Sequence, residues 1–108
     1  MRFSPSPARA GWPCLVFLTG GLAGCATAPP VQEMSDARQA IAAAKEAGAE
    51  QLAVDELGRA ETLLKKAEEF LTVGTSNAYW QARNAAVDAK ETAFEALLTS
   101  RNARMPVD

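Results

Sequence analysis

The 108-residue sequence contains no histidine, only two cysteines and few aromatic residues, 6% in all. Without histidine, a serine–histidine–aspartate triad, a histidine metal site and a Cys/His zinc module are excluded. The 11 basic and 13 acidic residues give a net charge of −2, which disfavours a nucleic-acid-binding surface. Phosphate-binding loops and nucleophile motifs are also lacking. We therefore expect no enzyme, no cofactor, no metal and no nucleic-acid partner.

Proline is absent between Pro30 and Pro106, and this stretch is rich in alanine and poor in glycine. That composition favours helix. We predict an all-α fold, a small bundle of three helices in which consecutive helices pack antiparallel. The breaks are expected at Gly48 and at residues 74–77, and Gly48 either ends the first helix or interrupts a longer one. About 70 residues is close to the lower limit for independent stability, so self-association or a partner would help.

The N-terminal apolar stretch, residues 14–18, is far too short to span a bilayer as a helix. It follows Arg2 and Arg9 with no acidic residue before it. A positive start, a short apolar core and small residues behind it are typical of a secretory signal peptide. We expect Cys14 to be removed with this peptide, so that no disulfide forms.

The segment Leu22-Ala23-Gly24-Cys25 directly after this stretch resembles a bacterial lipobox. The resemblance implies cleavage before Cys25 and a diacylglycerol on its sulfur, whereas a chance cluster of small residues would leave Cys25 inert. We predict a signal peptide over residues 1–24, a lipidated cysteine with a flexible tether over residues 25–34, and a helical domain over residues 35–105. Several acyl chains would anchor the protein stably. Ala26, in place of aspartate, favours the outer membrane, with the domain facing the periplasm.

The first two helices are predicted over residues 36–47 and 54–73. Ser35 is a suitable N-cap for the first. Gly74 is suited to follow the second, and Glu61 and Lys65 are spaced for an ion pair within it. At 100° per residue, both helices have one apolar face. In the first helix it comprises Met34, Ala37, Ala40, Ile41, Ala44 and Ala47, and in the second Leu57, Ala60, Leu63, Leu64, Ala67, Phe70 and Leu71.

The third helix, predicted over residues 77–104, has two kinds of apolar side chain. A row of small residues, here called the alanine seam, comprises Ala78, Ala82, Ala86, Ala89, Ala93 and Ala96. A row of large residues, here called the apolar ridge, comprises Trp80, Val87, Phe94 and Leu98. Together the seam and the ridge cover a wider arc of the helix surface than one helix contact needs. We expect the seam to allow close approach of one neighbour and the ridge to cover another helix or another protein.

The candidate partner contacts are Tyr79, Trp80, Val87, Phe94 and Leu98. For Tyr79 and Trp80 the alternative is that they cover the open end of a small core. Three cations beside the ridge, Arg83, Lys90 and Arg101, are placed to meet lipid headgroups or an acidic partner, or else to lie over apolar neighbours. The acidic pairs Glu68-Glu69 and Glu91/Glu95 lie on polar arcs, so we expect solvated faces rather than acid–base chemistry.

The stretch Val31 to Leu98 resembles a family of small bacterial lipoproteins with a helical domain of unknown function, a domain also found ahead of OmpA-like peptidoglycan-binding domains. The resemblance rests on residues 37–41, on Gly48-Ala49 followed by residues 52–57, on the alanine and leucine spacing of residues 60–67, and on the third helix's alanines. It implies proximity to peptidoglycan but no catalytic residue. The hairpin of residues 57–98 is also similar in outline to one tetratricopeptide unit.

These features lead to three hypotheses about function. The first is an outer-membrane lipoprotein whose periplasmic domain is a non-enzymatic structural or protein-interaction module. The second is an oligomeric coiled-coil spacer between outer membrane and peptidoglycan, similar to the major murein lipoprotein. Gly74 and the absence of a C-terminal lysine count against this second hypothesis. The third is a chaperone or inhibitor of a secreted protein.

Overall fold

The computed structural model describes residues 28–105, and every regular element within them is a helix. The helices are α1 (Val31–Glu46), α2 (Ala49–Leu52), α3 (Val54–Val73) and α4 (Ser76–Arg104). The predicted all-α class is confirmed. The bounds of α3 are those predicted for the second helix, and α4 begins one residue before the predicted start.

The start of the first helix was predicted wrongly, because α1 begins at Val31 and not at Asp36. Ser35 lies inside the helix rather than at its N-cap, and residues 31–34, assigned to the tether, form its first turn. The carbonyl of Pro30 accepts a hydrogen bond from the Met34 N–H at 3.1 Å. The side chain of Met34 is only 2% exposed. Burial of this large side chain stabilises a turn that the polar neighbours do not predict.

Gly48 ends α1, so the first and second predicted helices are not continuous. Its φ of +97° is in the left-handed region, which glycine adopts without a Cβ penalty. Its N–H donates to the Lys45 carbonyl at 3.0 Å, and its own carbonyl accepts from Leu52 at 2.9 Å. The single-turn α2 follows, and Ala53, with φ of −147°, separates it from α3. The sequence pattern did not predict α2.

The turn between α3 and α4 has the expected residue types. Gly74, with φ of +82°, ends α3 in the left-handed conformation predicted for it. Thr75 is the N-cap of α4, where its Oγ1 accepts a hydrogen bond from the Ala78 N–H at 3.1 Å. This cap satisfies one of the free N–H groups at the helix start and fixes where α4 begins.

Polar contacts between helices establish their directions. Arg38 Nη2 lies 3.1 Å from Glu68 Oε2, and Lys45 Nζ lies 3.0 Å from Glu61 Oε2, so α1 and α3 are antiparallel. Glu61 therefore pairs across helices rather than with Lys65 as predicted.

The contacts of α4 give its direction relative to both neighbours. Arg83 Nε lies 3.3 Å from Glu33 Oε2, and Arg104 Nη1 donates to the Ala47 carbonyl at 3.0 Å, so α1 and α4 are parallel. Thr99 Oγ1 donates to Glu56 Oε2 at 3.1 Å, at the end of α3 far from the turn, so α3 and α4 are antiparallel. The N-termini of α1 and α4 therefore share one end of the bundle.

The core between these helices is built almost wholly of alanine. Among the buried apolar residues of the four helices and Ala53, only Met34, Ile41 and Leu57 are larger. The alanine seam of α4 is buried throughout, as predicted. Small side chains let helix axes approach closely, and α4 accordingly contacts both α1 and α3. Leu64 of α3 packs against both clusters of the core and links them.

Candidate interaction surface

The lipobox residues Leu22, Ala23, Gly24 and Cys25 lie outside the residues that the structure describes. The described chain begins at Ala28 and reaches the first residue of α1 at Val31. The N-terminus of α1 lies at the same end of the bundle as the α3–α4 turn, because α1 and α4 are parallel. This end of the domain is therefore the one nearest to Cys25 along the chain.

The apolar ridge of α4 lies on the surface of the described domain. Trp80 is 59% exposed, Phe94 45% and Leu98 56%, while Val87 is partly buried. Tyr79, the remaining candidate contact, is also partly buried. On the helical wheel the ridge lies opposite the middle of the alanine seam, which is why packing with α1 and α3 leaves it exposed. Trp80 therefore lies on the surface of the described domain rather than inside its core.

A groove lies between α1 and the ridge. One part, about 410 Å³, lies beneath Phe94 and Lys90 of α4 and is lined on the α1 side by Asp36, Gln39, Ala40 and Ala43. A second part, about 510 Å³, shares Ala43 and lies toward the C-terminus of α4. Its other lining residues are Glu46, Ala47, Leu97, Arg101, Arg104 and Met105. Alanine side chains line both parts on the α1 side.

The two flanks of the ridge carry opposite charges. On the side facing α1 lie Arg83 and Lys90, both partly buried, and Arg101, which is exposed. On the other side lie Asp88 and Glu95, both exposed, and Glu91 is exposed close to the ridge itself. Arg83 is held by Glu33 of α1, whereas Lys90 lies beside Phe94 in the groove. The sequence did not predict this ordered separation of charge.

The acidic pairs lie on solvent-exposed faces of the helices, as expected. Glu68 pairs with Arg38 at the surface, and Glu91 and Glu95 are exposed on α4. Within residues 28–105 no three histidine, cysteine, aspartate or glutamate side chains are grouped as metal ligands. The pKa of Lys45 is raised above its ordinary value of 10.5. The larger cause is the hydrogen bond to Glu61, and the second is the negative charge of Glu61. This surface ion pair joins α1 to α3.

Further exposed apolar residues lie at the two ends of the bundle. Val31 and Val73 lie at the same end of the bundle as Trp80, the end nearest to Cys25 along the chain, and Leu52, Val54 and Met105 lie toward the opposite end. The sequence did not predict these exposed residues, since Val31 was assigned to the tether and α2 was not predicted. No helix among the described residues combines the length and the apolar character that crossing a membrane requires.

Searches of protein-family models, curated proteins and solved structures gave no match to this chain.

Proposed function

We propose that this chain is a non-enzymatic lipoprotein of the bacterial cell envelope. Acyl chains on Cys25 anchor it in the outer membrane, and its helical domain faces the periplasm as a structural or protein-interaction module. The observation that carries the proposal is Leu22-Ala23-Gly24-Cys25, placed directly after a short apolar stretch that follows two arginines. A thiol preceded by small residues is what cleavage and acylation at this position need.

The position of α1 supports this arrangement. Only residues 26–30 separate Cys25 from Val31, and the six residue steps between them span at most about 22 Å when fully extended. The domain therefore stays near the headgroups of the membrane, with the end that carries Val31, Val73 and Trp80 closest to it. Tryptophan and small apolar residues are suited to that boundary.

The distribution of side-chain size supports an interaction module rather than an enzyme. The core is mostly alanine, whereas Trp80, Phe94 and Leu98 of α4 are exposed along a row beside an open groove. Large exposed apolar patches mark protein or membrane contacts. We propose that the ridge of Trp80, Val87, Phe94 and Leu98, with neighbouring Tyr79, is the contact surface. In this proposal the α3–α4 hairpin is a tetratricopeptide-like unit in outline only.

Separation of inner and outer membranes on a density gradient tests the anchor. We compare the wild type with Cys25→Ala and with Cys14→Ala, a matched control that changes the cysteine expected to be removed with the signal peptide. The wild type and Cys14→Ala are expected in the outer-membrane fraction as the processed form, whereas Cys25→Ala stays unprocessed. A soluble wild type, or equal behaviour of the two variants, would contradict the proposal.

A further inference from the structure

The spacing of the apolar ridge is that of a coiled-coil contact. Trp80, Val87 and Phe94 recur every seven residues, and Leu98 follows four residues after Phe94. In heptad terms the first three are d positions and Leu98 is an a position. The preceding a position on the same face is Glu91, and the one before it is Asn84. Three of the four ridge residues are exposed, so the row is accessible to a partner helix.

The charges beside the ridge follow the same repeat. Arg83 and Lys90 occupy g positions on one flank, and Asp88 and Glu95 occupy e positions on the other. In a parallel pair of helices, each g residue faces the e residue five positions later in the partner. Arg83 would then face Asp88 of a second copy, and Lys90 would face Glu95. Each of these two pairs is separated by five residues, so both contacts between copies of this chain join opposite charges.

The same arrangement disfavours other occupants of the ridge. If two copies packed antiparallel, the basic flank of one would face the basic flank of the other, and the acidic flanks would also meet. An anionic lipid surface lying along the ridge would approach the carboxylates of Asp88, Glu91 and Glu95. Both arrangements place like charges close together.

We infer that the apolar ridge of α4 is the contact for a second copy of this chain, which packs parallel to the first about a two-fold axis along the helices. Lys90 of each copy pairs with Glu95 of the other. Arg83 already binds Glu33 within its own chain, so its contact with Asp88 is the weaker of the two. A parallel pair places both copies of Val31 at the same end, and this agrees with two anchors in one membrane. The charge pattern carries the inference, and only this last point rests on the proposed anchor.

Two a positions set the character of the contact. Asn84 faces its own counterpart, and a single asparagine at such a position favours a parallel pair in one register. Glu91 also faces its counterpart, where two carboxylates repel each other. We therefore expect a reversible dimer rather than a permanent one, and Glu91→Gln should strengthen it.

Cysteine crosslinking of the full chain in isolated membranes tests the orientation. Asn84→Cys and Leu98→Cys each place a thiol near one end of the contact, and Lys66→Cys, exposed on α3, is the control. A disulfide needs Cα atoms within about 7 Å, so it forms only where two thiols face each other. Asn84→Cys and Leu98→Cys are each expected to crosslink to themselves on mild oxidation, and Lys66→Cys is not. Crosslinks found only when the two variants are mixed would show an antiparallel pair, and no crosslink above the control would show that the ridge takes another partner. Either result overturns the inference.

Charge exchange tests the pairing, with the dimer fraction measured by sedimentation of the detergent-solubilised full chain. Lys90→Glu and Glu95→Lys are each expected to weaken dimerisation about tenfold, because each creates two like-charge contacts. The double variant, and an equimolar mixture of the two single variants, are expected to restore it. If neither the double variant nor the mixture restored dimerisation, the proposed pairing of Lys90 with Glu95 would be overturned. Loss of acylation at Cys25 with crosslinking retained would overturn the proposed anchor but not the dimer.

Discussion

Replacing Gly58 or Gly74 by alanine should change the stability of the domain in opposite directions, because the backbone conformations of the two glycines differ. Gly58 lies within α3, where an added Cβ would meet no atom within 4 Å. Gly74 ends the same helix with φ of +82°. We expect Gly58→Ala to stabilise the domain by about 1 kcal/mol, since glycine is a poor helix former. Gly74→Ala should destabilise it by about 1 kcal/mol, since the left-handed conformation strains alanine. Urea unfolding followed by circular dichroism measures both, and changes of the same sign would contradict this account.

Ala67 shows how tightly the alanine core is packed. It is fully buried in α3, whereas its neighbour Lys66 is exposed. Ala67→Leu should lower the free energy of unfolding by about 1–3 kcal/mol, because the added carbons must displace close-packed neighbours. Lys66→Leu adds a leucine to the same turn and should change it by less than about 0.5 kcal/mol. Equal effects of the two substitutions in thermal unfolding would mean that α3 is not packed as described.

Lys45 gives a small pH dependence of known sign. Its hydrogen bond and ion pair with Glu61 raise its pKa in the folded chain above 10.5. Because the folded value is the higher one, the stabilisation is complete below pH 10.5 and is lost as the pH rises through the folded pKa. Glu61→Gln should bring the pKa back toward its ordinary value. An NMR titration of the lysine side chains measures it, and an unchanged Lys45 pKa in this variant would contradict the contact.

For the helices, the sequence predicts the bounds best where the apolar face and the residues at the helix end indicate the same limits. The bounds of α3 follow from its apolar face and from Gly74, and α4 follows from its unbroken alanine seam. The start of α1 is different, because it depends on Met34 reaching a core formed by helices much later in the chain. The turn of α2 is held by Gly48 and by long-range packing of Ala49, so no local pattern indicates it.

The same limit applies to the ridge. Its residues and spacing are visible in the sequence, and so is their separation from the seam. Whether they contact a third helix or solvent depends on where α1 and α3 pack around α4. Both lie on the seam side, because buried residues of α1 and α3 share core clusters with Ala86, Ala93 and Ala96 of the seam. The sequence alone therefore could not predict that Trp80 and Phe94 are exposed.

In the whole molecule, the residues that hold the fold are different from those available to a partner. The double variant Trp80→Ala with Phe94→Ala should lower the free energy of unfolding by less than about 2 kcal/mol and leave helicity unchanged, because about half of each side chain is already exposed. It should also remove self-crosslinking through α4. Met34→Ala, which truncates a buried side chain, should cost about 2–5 kcal/mol. Unfolding of the double variant would show instead that the ridge belongs to the core.

The intact mass of the protein isolated from membranes tests the central claim most directly. We predict a chain that begins at Cys25 and carries the added mass of a diacylglycerol and a further acyl chain. We also predict that Cys14→Ala gives the same mass and that Cys25→Ala retains residues 1–24 without any lipid. A wild-type protein with an unmodified Cys25, or with residues 1–24 still attached, would contradict the account.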